Sequence, residues 1–338
     1  MKLLVTGGAG FIGSNFIRYW LREHPADRIV NVDKLTYAGN RLNLEGVGDG
    51  HQLVAMDICD PAVEDLLAGT DAVVHFAAET HVDRSIDSSE VFIRTNVLGT
   101  QRLLDAARRH RVPVFVQIST DEVYGALGPD GEFSEETPIS PRSPYSASKA
   151  AADWLVQSYF HTYSMPVIIT RCCNNYGPYQ HPEKFLPLMT TNALKELPLP
   201  VYGEGAQIRE WLHVEDHCRA LEQVLQRGQP GEVYNLGSGH RFTNLQVAET
   251  ILRLLGRPRS LLQFVADRPG HDFRYAVDSS KARRELGWQP RYDWESGLRQ
   301  TVAWYENNQT WVNAVRGDGY NQYYSHMYEK RDQFLRDL

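Results

Sequence analysis

The chain has 338 residues, of which 42% are hydrophobic and 23% charged, and its net charge is −7 at pH 7. This length can bury a substantial core in one or two domains, and the composition is ordinary for a globular protein. The negative charge argues against a general binder of nucleic acids or membrane surfaces, because both attract basic proteins.

We expect a cytoplasmic protein. The first apolar residues, Met1 to Val5, form too short a run for a signal peptide, and no apolar run is long enough to span a bilayer. The cysteines lack the C-x-x-C spacing of metal or redox sites, so we expect reduced thiols. They are Cys59, Cys172, Cys173 and Cys218.

A glycine-rich turn follows the first predicted strand, Lys2 to Thr6, and leads into an amphipathic helix. Glycines at positions 7, 10 and 13 permit a tight turn, close approach to a pyrophosphate and close packing of helix on strand. The N-terminus of the helix offers free N–H groups to phosphate oxygens. This strand–turn–helix unit predicts a dinucleotide site.

An acidic residue follows the second predicted strand, 28–32. Asp33 comes twenty residues after Gly13, where a carboxylate accepts hydrogen bonds from the adenosine ribose. The same carboxylate repels a 2′-phosphate, so the sequence favours NAD over NADP, although Lys34 beside it weakens that preference.

Two further predicted strands end at small or polar residues. The strand 52–56 ends at Asp57 and Ile58, and the strand 72–76 ends at Ala77 and Ala78. Small residues let a cofactor approach the backbone, although a tight strand–helix turn would also explain them. The alternation of strands and helices to about residue 172 predicts a doubly wound, mostly parallel sheet.

Polar side chains gather after the fifth predicted strand, 114–118, in the sequence Ser-Thr-Asp-Glu that begins at Ser119. Ligands bind beyond the carboxyl ends of strands in open α/β sheets. A hydroxyl and two carboxylates at one such end are more than a structural turn requires.

Tyr145 and Lys149 lie four residues apart in a predicted helix that begins near Pro144, so they share one face. A tyrosine acts as a base near neutral pH only if its pKa falls by about 3 units from about 10. A neighbouring ammonium and a cationic nicotinamide ring both act in that direction. Thr120 is placed to share a hydrogen bond with the substrate hydroxyl.

Together these motifs resemble the extended short-chain dehydrogenase/reductases that act on nucleotide sugars. The segment from Thr120 to Gly125 is similar to that of the dTDP-glucose 4,6-dehydratase family in particular. The resemblance covers nearly the whole chain, including the segments 174–179, 182–184, 209–212 and 267–272. Sugar epimerases of this superfamily typically lack an Asp-Glu pair after the threonine, and GDP-mannose dehydratases typically have Ser-Glu there.

The resemblance implies C4 oxidation of the sugar by NAD, elimination of water across C5 and C6, and return of the hydride to C6, which gives a 4-keto-6-deoxy sugar. Tyr145, Thr120 and Lys149 would act at the C4 hydroxyl. Asp121 would be the acid and Glu122 the base, an order that spacing alone does not establish. To serve as an acid, Asp121 needs a pKa raised by burial or by its carboxylate neighbour.

The motifs and the resemblance also assign the two binding sites. The predicted NAD site comprises Gly7, Gly10, Phe11, Ile12, Gly13, Asp33, Lys34, Asp57, Ile58, Phe76, Ala77, Ala78, Thr95, Tyr145, Lys149 and Asn174. The predicted substrate site comprises Thr80, Thr120, Asn175, Glu183, Lys184, Phe185, Pro200, Tyr202, Arg209, Asn244, His271 and Arg274.

The resemblance also implies a division of roles in binding the substrate, which includes Asn174 of the predicted NAD site. Asn174, Lys184 and Phe185 would contact the sugar–phosphate portion, and Pro200 and Tyr202 would pack on the pyrimidine base. Four further residues would contact the diphosphate–nucleoside portion: Arg209, Asn244, His271 and Arg274. For each residue a surface salt bridge or a core position is the alternative.

The predicted domain division interleaves the chain. We expect an NAD-binding domain from residues 1–172 and 210–240, with a late strand at 232–236, and a smaller mixed α/β substrate domain from 173–209 and 241–338. Helices near 95–104 and after Pro144 commonly pair across a two-fold axis in this superfamily, so we expect a homodimer without nucleic-acid or membrane partners.

His213 and His217 have the i, i+4 spacing of zinc ligands, but no third ligand is near in sequence, so no metal is predicted.

Three alternatives to a dTDP-glucose dehydratase stay open: a UDP-glucose 4,6-dehydratase, a nucleotide-sugar epimerase or decarboxylase, and a non-catalytic NAD-binding regulator. The Asp121-Glu122 pair argues against an epimerase or decarboxylase. The presence of Thr120, Tyr145 and Lys149 argues against a regulator. The role of the aromatic stretch from 304 to 328 is left open.

Overall fold

The computed structural model describes residues 1–317, 320, 324–329 and 331. A seven-stranded sheet forms its centre, accompanied by a three-stranded and a two-stranded sheet. The strands are β1 (Lys2–Thr6), β2 (Arg28–Asp33), β3 (His51–Ala55), β4 (Ala72–His75), β5 (Val114–Thr120), β6 (Val167–Cys172), β7 (Asn174–Tyr176), β8 (Leu199–Tyr202), β9 (Ile208–His213), β10 (Val233–Leu236), β11 (Arg241–Thr243) and β12 (Leu262–Val265).

Helices connect these strands. They are α1 (Phe11–Glu23), α2 (Val82–Asp87), α3 (Glu90–Phe92), α4 (Thr100–Arg109), α5 (Pro144–Tyr163), α6 (Phe185–Leu194), α7 (Val214–Arg227), α8 (Asn244–Leu254), α9 (Trp294–Asn307) and α10 (Gln309–Val315). A π-helical stretch, Ile93–Gly99, joins α3 to α4. A 3₁₀ turn, Asp121–Tyr124, follows β5 directly.

The large sheet has the strand order β3-β2-β1-β4-β5-β6-β10, and every neighbouring pair is parallel. The order reverses between β1 and β4. In an open α/β sheet this reversal opens a crevice at the carboxyl ends of the strands, where ligands bind. The predicted fold class, a doubly wound parallel sheet, is confirmed.

The strands of the large sheet are apolar because helices cover both of their faces. Leu3, Leu4 and Val5 of β1 are fully buried, and they contribute alternately to the two apolar layers on either side of the sheet. Alternate side chains of a strand point to opposite faces, so the sheet lies between these layers. This packing fixes the strand ends that carry the polar residues.

Helix α5 begins with a capping box. The Ser143 hydroxyl accepts from the backbone N–H of Ser146, the Ser146 hydroxyl accepts from the backbone N–H of Ser143, and Pro144 occupies the first turn. Proline is favoured there because the first-turn N–H groups lack helical partners. The predicted start of this helix is confirmed. Tyr145 and Lys149 lie on its buried side.

The smaller sheets contain strands that the sequence did not predict. Strands β11, β9 and β7 form one sheet, and β12 pairs with β8 in the other. Strand β9 belongs to the three-stranded sheet and crosses the predicted domain boundary at residue 210, whereas β10 joins the large sheet as expected. The domain division as a whole stays a prediction.

The described part of the aromatic C-terminal stretch packs against the second half of the chain. Trp304 and Trp311 lie against Tyr179, and Tyr320 and Tyr324 belong to the apolar cluster beneath α6 and α8. Positions 318, 319 and 321–323 of this stretch lie outside the described residues. Within the described ranges, no helix has both the length and the apolarity needed to cross a membrane.

Candidate active site

A cavity of about 300 Å³ opens at the reversal of strand order. It follows the carboxyl ends of β1, β2, β4 and β5, as expected for a dinucleotide cleft. Every residue assigned above to NAD lines this cavity: Gly7, Gly10, Phe11, Ile12, Gly13, Asp33, Lys34, Asp57, Ile58, Phe76, Ala77, Ala78, Thr95, Tyr145, Lys149 and Asn174.

The glycine turn is shaped by backbone contacts that exclude side chains. Gly7 has a φ of +70°, and a Cβ there would lie 2.6 Å from the backbone nitrogen of Ala77. A Cβ on Gly13 would lie 2.4 Å from the carbonyl oxygen of Gly7. Among the described residues no side chain caps the N-terminus of α1 at Gly10. This backbone cradle fits a pyrophosphate.

Asp33 and its neighbours fit an unphosphorylated ribose. The Asp33 carboxylate accepts from the backbone N–H groups of Ala9 (2.9 Å) and Leu35 (2.8 Å), which holds it at the cavity wall. Lys34 pairs with Asp57 at 2.9 Å. Lys34, which weakened the predicted preference for NAD, therefore forms an ion pair with Asp57. NAD is the cofactor that this set fits.

The end of β5 and the turn that follows it position the polar residues of the predicted reaction centre. Thr120 is the last residue of the strand, and its hydroxyl accepts from the backbone N–H of Glu122 at 3.3 Å. Gly125, with a φ of +89°, ends the turn that follows. The turn places Asp121 and Glu122 at the cleft, together with Tyr145 and the other residues of α5.

Tyr145 and Lys149 are both buried on the inner face of α5. The Lys149 ammonium donates to the carbonyl oxygen of Ile118 at 2.7 Å. Burial raises the pKa of Tyr145 well above its usual value, the carboxylate of Glu122 raises it further, and a hydrogen bond with Thr120 opposes them. Lys149 was expected to lower the pKa of Tyr145. In the protein without NAD this pKa is raised instead, because desolvation is the larger effect.

The two carboxylates of the turn have different surroundings. Burial and the nearby carboxylates of Glu122 and Glu210 raise the pKa of Asp121 well above its usual value. Asp121 Oδ2 has no hydrogen-bond partner among the described residues. The raised pKa expected for an acid at this position is confirmed.

The pKa of Glu122 is raised as well, by burial and by the carboxylate of Asp272, but three cations oppose that shift. They are Arg268, Arg209 and Lys184. Paired carboxyl groups whose surroundings push their pKa values apart are suited to separate acid and base roles. Of the two carboxyl groups, Asp121 has the more strongly raised pKa.

A second cavity, of about 180 Å³, adjoins the first. Both are lined by Thr80, Glu122, Asn174, Asn175, Gln180 and Lys184. Of the predicted substrate residues, the second cavity holds Thr80, Asn175, Glu183, Lys184, Phe185, Pro200, Tyr202, Arg209, Asn244 and His271, and Thr120 lines the first. A ligand in the second cavity thus meets the reaction centre at Glu122.

The second cavity combines cationic and aromatic groups. The Lys184 ammonium donates to the Thr80 carbonyl at 2.9 Å, and the Arg209 guanidinium donates to the Ile208 and Asp272 carbonyls at 2.9 Å each. Carbonyl partners hold these cations without neutralising them. The Phe185 ring is stacked on an indole, at a centroid separation of 6.2 Å from Trp211. Such a pocket fits a nucleoside diphosphate.

Sequence reasoning missed Arg268 and Asp83, which line the second cavity and pair at 3.2 Å. The quoted segment 267–272 contained Arg268 but did not single it out. Arg274 lies outside both cavities, and its guanidinium donates to the Gly131 carbonyl at 2.9 Å. Its neighbour Tyr275 lines the cavity instead, because successive side chains of an extended segment point in opposite directions.

The two histidines at i, i+4 spacing do not share a helix face. His213 precedes α7 and accepts from the backbone N–H of Glu215, and its ring stacks on Tyr292. His217 is buried and its Nδ1 lies 2.9 Å from Asn175 Oδ1. Across the described part of the chain, no cluster of three or more His, Cys, Asp or Glu residues is arranged to hold a metal ion.

Comparisons with known proteins find closely similar sequences over most of the chain. The sequence model of the GDP-mannose 4,6 dehydratase family matches residues 4–301. A dTDP-glucose 4,6-dehydratase from Streptomyces niveus is 53% identical over 323 residues, which cover 94% of this chain and 96% of the relative.

Solved structures show the same relationship. The dTDP-glucose 4,6-dehydratase of Streptomyces venezuelae, crystallised with NAD and TDP, is 49% identical and has a TM-score of 0.91. The match covers 93% of this chain and 100% of that enzyme. The UDP-glucuronic acid 4-epimerase of Bacillus cereus is only 29% identical, with a TM-score of 0.85 over 91% of this chain and 99% of the epimerase. The chain belongs to the dTDP-glucose 4,6-dehydratases of the extended short-chain dehydrogenase/reductase superfamily.

Proposed function

We propose that this protein converts dTDP-glucose into dTDP-4-keto-6-deoxyglucose and water, with NAD as a cofactor that is regenerated in each cycle. The observation that carries the proposal is the pair Asp121-Glu122: both carboxyl groups line the first cavity, and Glu122 also lines the second. An epimerase has no use for an acid and a base beside the C5 and C6 atoms of the sugar.

The first step belongs to Tyr145, Thr120 and Lys149. NAD bound in the first cavity would supply the acceptor for the C4 hydride and its donor to C6, and its positive ring charge would lower the pKa of Tyr145. The Tyr145 phenolate receives the proton of the C4 hydroxyl, and Thr120 holds that hydroxyl by a hydrogen bond. The Lys149 ammonium stabilises the phenolate. The sugar leaves this step as a 4-ketone.

The second step belongs to the turn after β5. The ketone makes the C5 hydrogen acidic, and Glu122 removes it as a proton. Asp121 donates its proton to the C6 hydroxyl, the C6–O bond breaks, and one water leaves. Glu122 then returns a proton to C5, and solvent carries the proton of Tyr145 back to Asp121, so that the net change is the loss of water alone.

The remaining assignments rest on the second cavity. Lys184, Arg209 and Arg268 supply the positive charge that a nucleoside diphosphate requires, and Tyr202 supplies an aromatic surface for the base. Burial and the nearby Arg268 and Arg209 lower the pKa of His271 to about 4, so this ring is a neutral hydrogen-bonding group near pH 7.

We also propose that the protein is a cytoplasmic homodimer that pairs through α4 and α5. Trp154 on α5 is 58% exposed, and the segment before α4 exposes Ile93 and Leu98. Exposed apolar side chains on neighbouring helices are typical of protein interfaces. All four cysteines are buried and unpaired, which agrees with a reducing compartment. A monomer by light scattering at micromolar concentration would contradict the dimer.

The direct test of the activity uses purified protein and dTDP-glucose without added reductant. Loss of one water in the product, with a C4 ketone and a C6 methyl group by NMR, supports the proposal. An isomeric product of unchanged mass would indicate an epimerase instead. UDP-glucose in a parallel reaction tests the preference for thymidine, and faster turnover of UDP-glucose would contradict it.

A further inference from the structure

A buried ion pair lies behind the reaction centre, outside both cavities. Arg171 on β6 donates through Nε to Asp153 Oδ2 on α5 at 2.9 Å, and the two side chains are 2% and 1% exposed. Removing two charges from water costs about as much as their attraction returns. Stability alone is therefore a weak explanation for this pair, and its remaining contacts indicate a role.

The second arm of the Arg171 guanidinium reaches the catalytic turn. Its Nη1 donates to the hydroxyl oxygen of Tyr124 at 2.9 Å, and that hydroxyl donates to Asn235 Oδ1 at 2.8 Å. Tyr124 is the last residue of the 3₁₀ turn that begins at Asp121. Both ends of that turn are thus fixed, one by β5 and the other by a buried side chain.

The first arm reaches the helix of the oxidation step. Asp153 follows Lys149 by four residues and Tyr145 by eight on the buried face of α5. One guanidinium therefore joins the turn that carries the two carboxylates to the helix that carries the phenol. Arginine suits this position because its planar group donates to two acceptors in fixed directions, which an ammonium does not.

We infer that Arg171 is a positioning residue for the elimination step, holding the carboxylates of Asp121 and Glu122 in place relative to the sugar that Tyr145 has oxidised. The inference rests on the proposed function. Oxidation at C4 and elimination across C5 and C6 use groups on different elements, but the sugar must meet both sets in one binding mode. Arg171, Asp153 and Tyr124 supply the rigid connection between those elements.

Tyr124→Phe tests this connection with little disturbance of the fold. It keeps the ring but removes the oxygen that accepts from Arg171. Because a misplacement of about 1 Å can cost about 100-fold in rate, we expect kcat for product formation to fall about 10- to 100-fold. The KM for dTDP-glucose stays close to that of the parent protein. Reduced NAD builds up during the first turnover, because C4 oxidation proceeds while elimination is slow.

Tyr234→Phe is the matched control. Tyr234 is also fully buried, and its hydroxyl accepts one hydrogen bond, from the backbone N–H of Gln229, away from the turn. We expect its kcat to equal that of the parent. Equal kcat values for Tyr124→Phe and Tyr234→Phe would overturn the inference, as would a loss of kcat with no build-up of reduced NAD.

Arg171→Lys provides a second variant that keeps the charge beside Asp153. If Arg171 acts through Tyr124, the double variant Arg171→Lys with Tyr124→Phe is no slower than the slower single variant, because both remove one connection. Multiplied losses in the double variant would overturn the inference. Failure of the proposed function is distinguishable, since the parent protein would then form no 4-keto-6-deoxy product at all.

Discussion

The two cavities that meet at Glu122 are built in different ways. The NAD cleft combines a glycine turn and strand ends from the first 80 residues with later side chains such as Tyr145 and Lys149. The second cavity is made of side chains drawn from positions 80 to 328. The glycine turn and strand ends of the NAD cleft are therefore encoded by short motifs with fixed spacing, whereas the second cavity depends on how distant segments pack. This difference predicts which substitutions abolish binding and which only weaken it.

The largest effect is expected in the backbone cradle. Gly13→Val would place a Cβ 2.4 Å from the Gly7 carbonyl, a contact that backbone cannot relieve. We expect loss of bound NAD and of all activity, measured by the NAD content of the purified protein. The control is Gly48→Val, where a Cβ meets nothing within 4 Å. NAD retention by the Gly13 variant would contradict the cradle.

The next effect falls on Asp121, the carboxylate beside the junction of the two cavities. Asp121→Asn removes the acid but leaves the NAD cleft and the substrate cations in place. We expect product formation to slow by about 10²- to 10⁴-fold, the usual contribution of a general acid. Oxidation at C4, followed by the absorbance of reduced NAD, should suffer much less. Full turnover by this variant would remove Asp121 from the acid role.

The cations of the second cavity should affect the pH dependence of kcat/KM, because they lower the pKa of Glu122. The proposed mechanism requires Glu122 to be ionised, so activity should rise as the pH increases through its pKa. It requires Asp121 to be protonated, so activity should fall as the pH rises through the pKa of that group. These limbs belong to the coupled pair. Arg268→Met removes a cation that lowers the pKa of Glu122. The acidic limb of the kcat/KM profile should therefore move to higher pH, and an unmoved limb would contradict this account.

The smallest effect concerns the choice of dinucleotide. Asp33→Asn keeps the shape of the side chain and removes its charge, so the preference for NAD over NADP should fall about 10- to 100-fold, as expected for hydrogen bonds to a charged group. Comparison of Kd values for the two dinucleotides measures it. The thermal unfolding temperature serves as the control, because Asp33 also accepts from Ala9 and Leu35.

The sequence predicted the large sheet because its strands are continuous apolar runs between clear turns. Six of its strands were located within about two residues, a usual uncertainty for element ends, and β5 extends to Thr120. Strands β7 and β11 were missed because three residues carry too little periodicity to identify a strand.

The site shows the same contrast. The glycine turn and Asp33 follow from spacing along one βαβ unit, whereas the later members of the predicted NAD site came from other motifs and the resemblance; all of them line the first cavity. Arg268 was missed because its position depends on a salt bridge to Asp83, 185 residues earlier in the chain. Arg274 was expected at the substrate but faces Gly131 instead, since a motif does not determine which side of an extended segment faces the ligand. The surroundings of Asp121 and Glu122 likewise depend on distant charges.

The central claim is that Asp121 and Glu122 divide acid and base roles, and hydrogen exchange at C5 tests it most directly. We would incubate Asp121→Asn and Glu122→Gln separately with dTDP-glucose in D₂O and recover the nucleotide sugar for NMR. We expect deuterium at C5 without loss of water in Asp121→Asn, and no exchange in Glu122→Gln. Exchange in Glu122→Gln but not in Asp121→Asn would contradict the assignment.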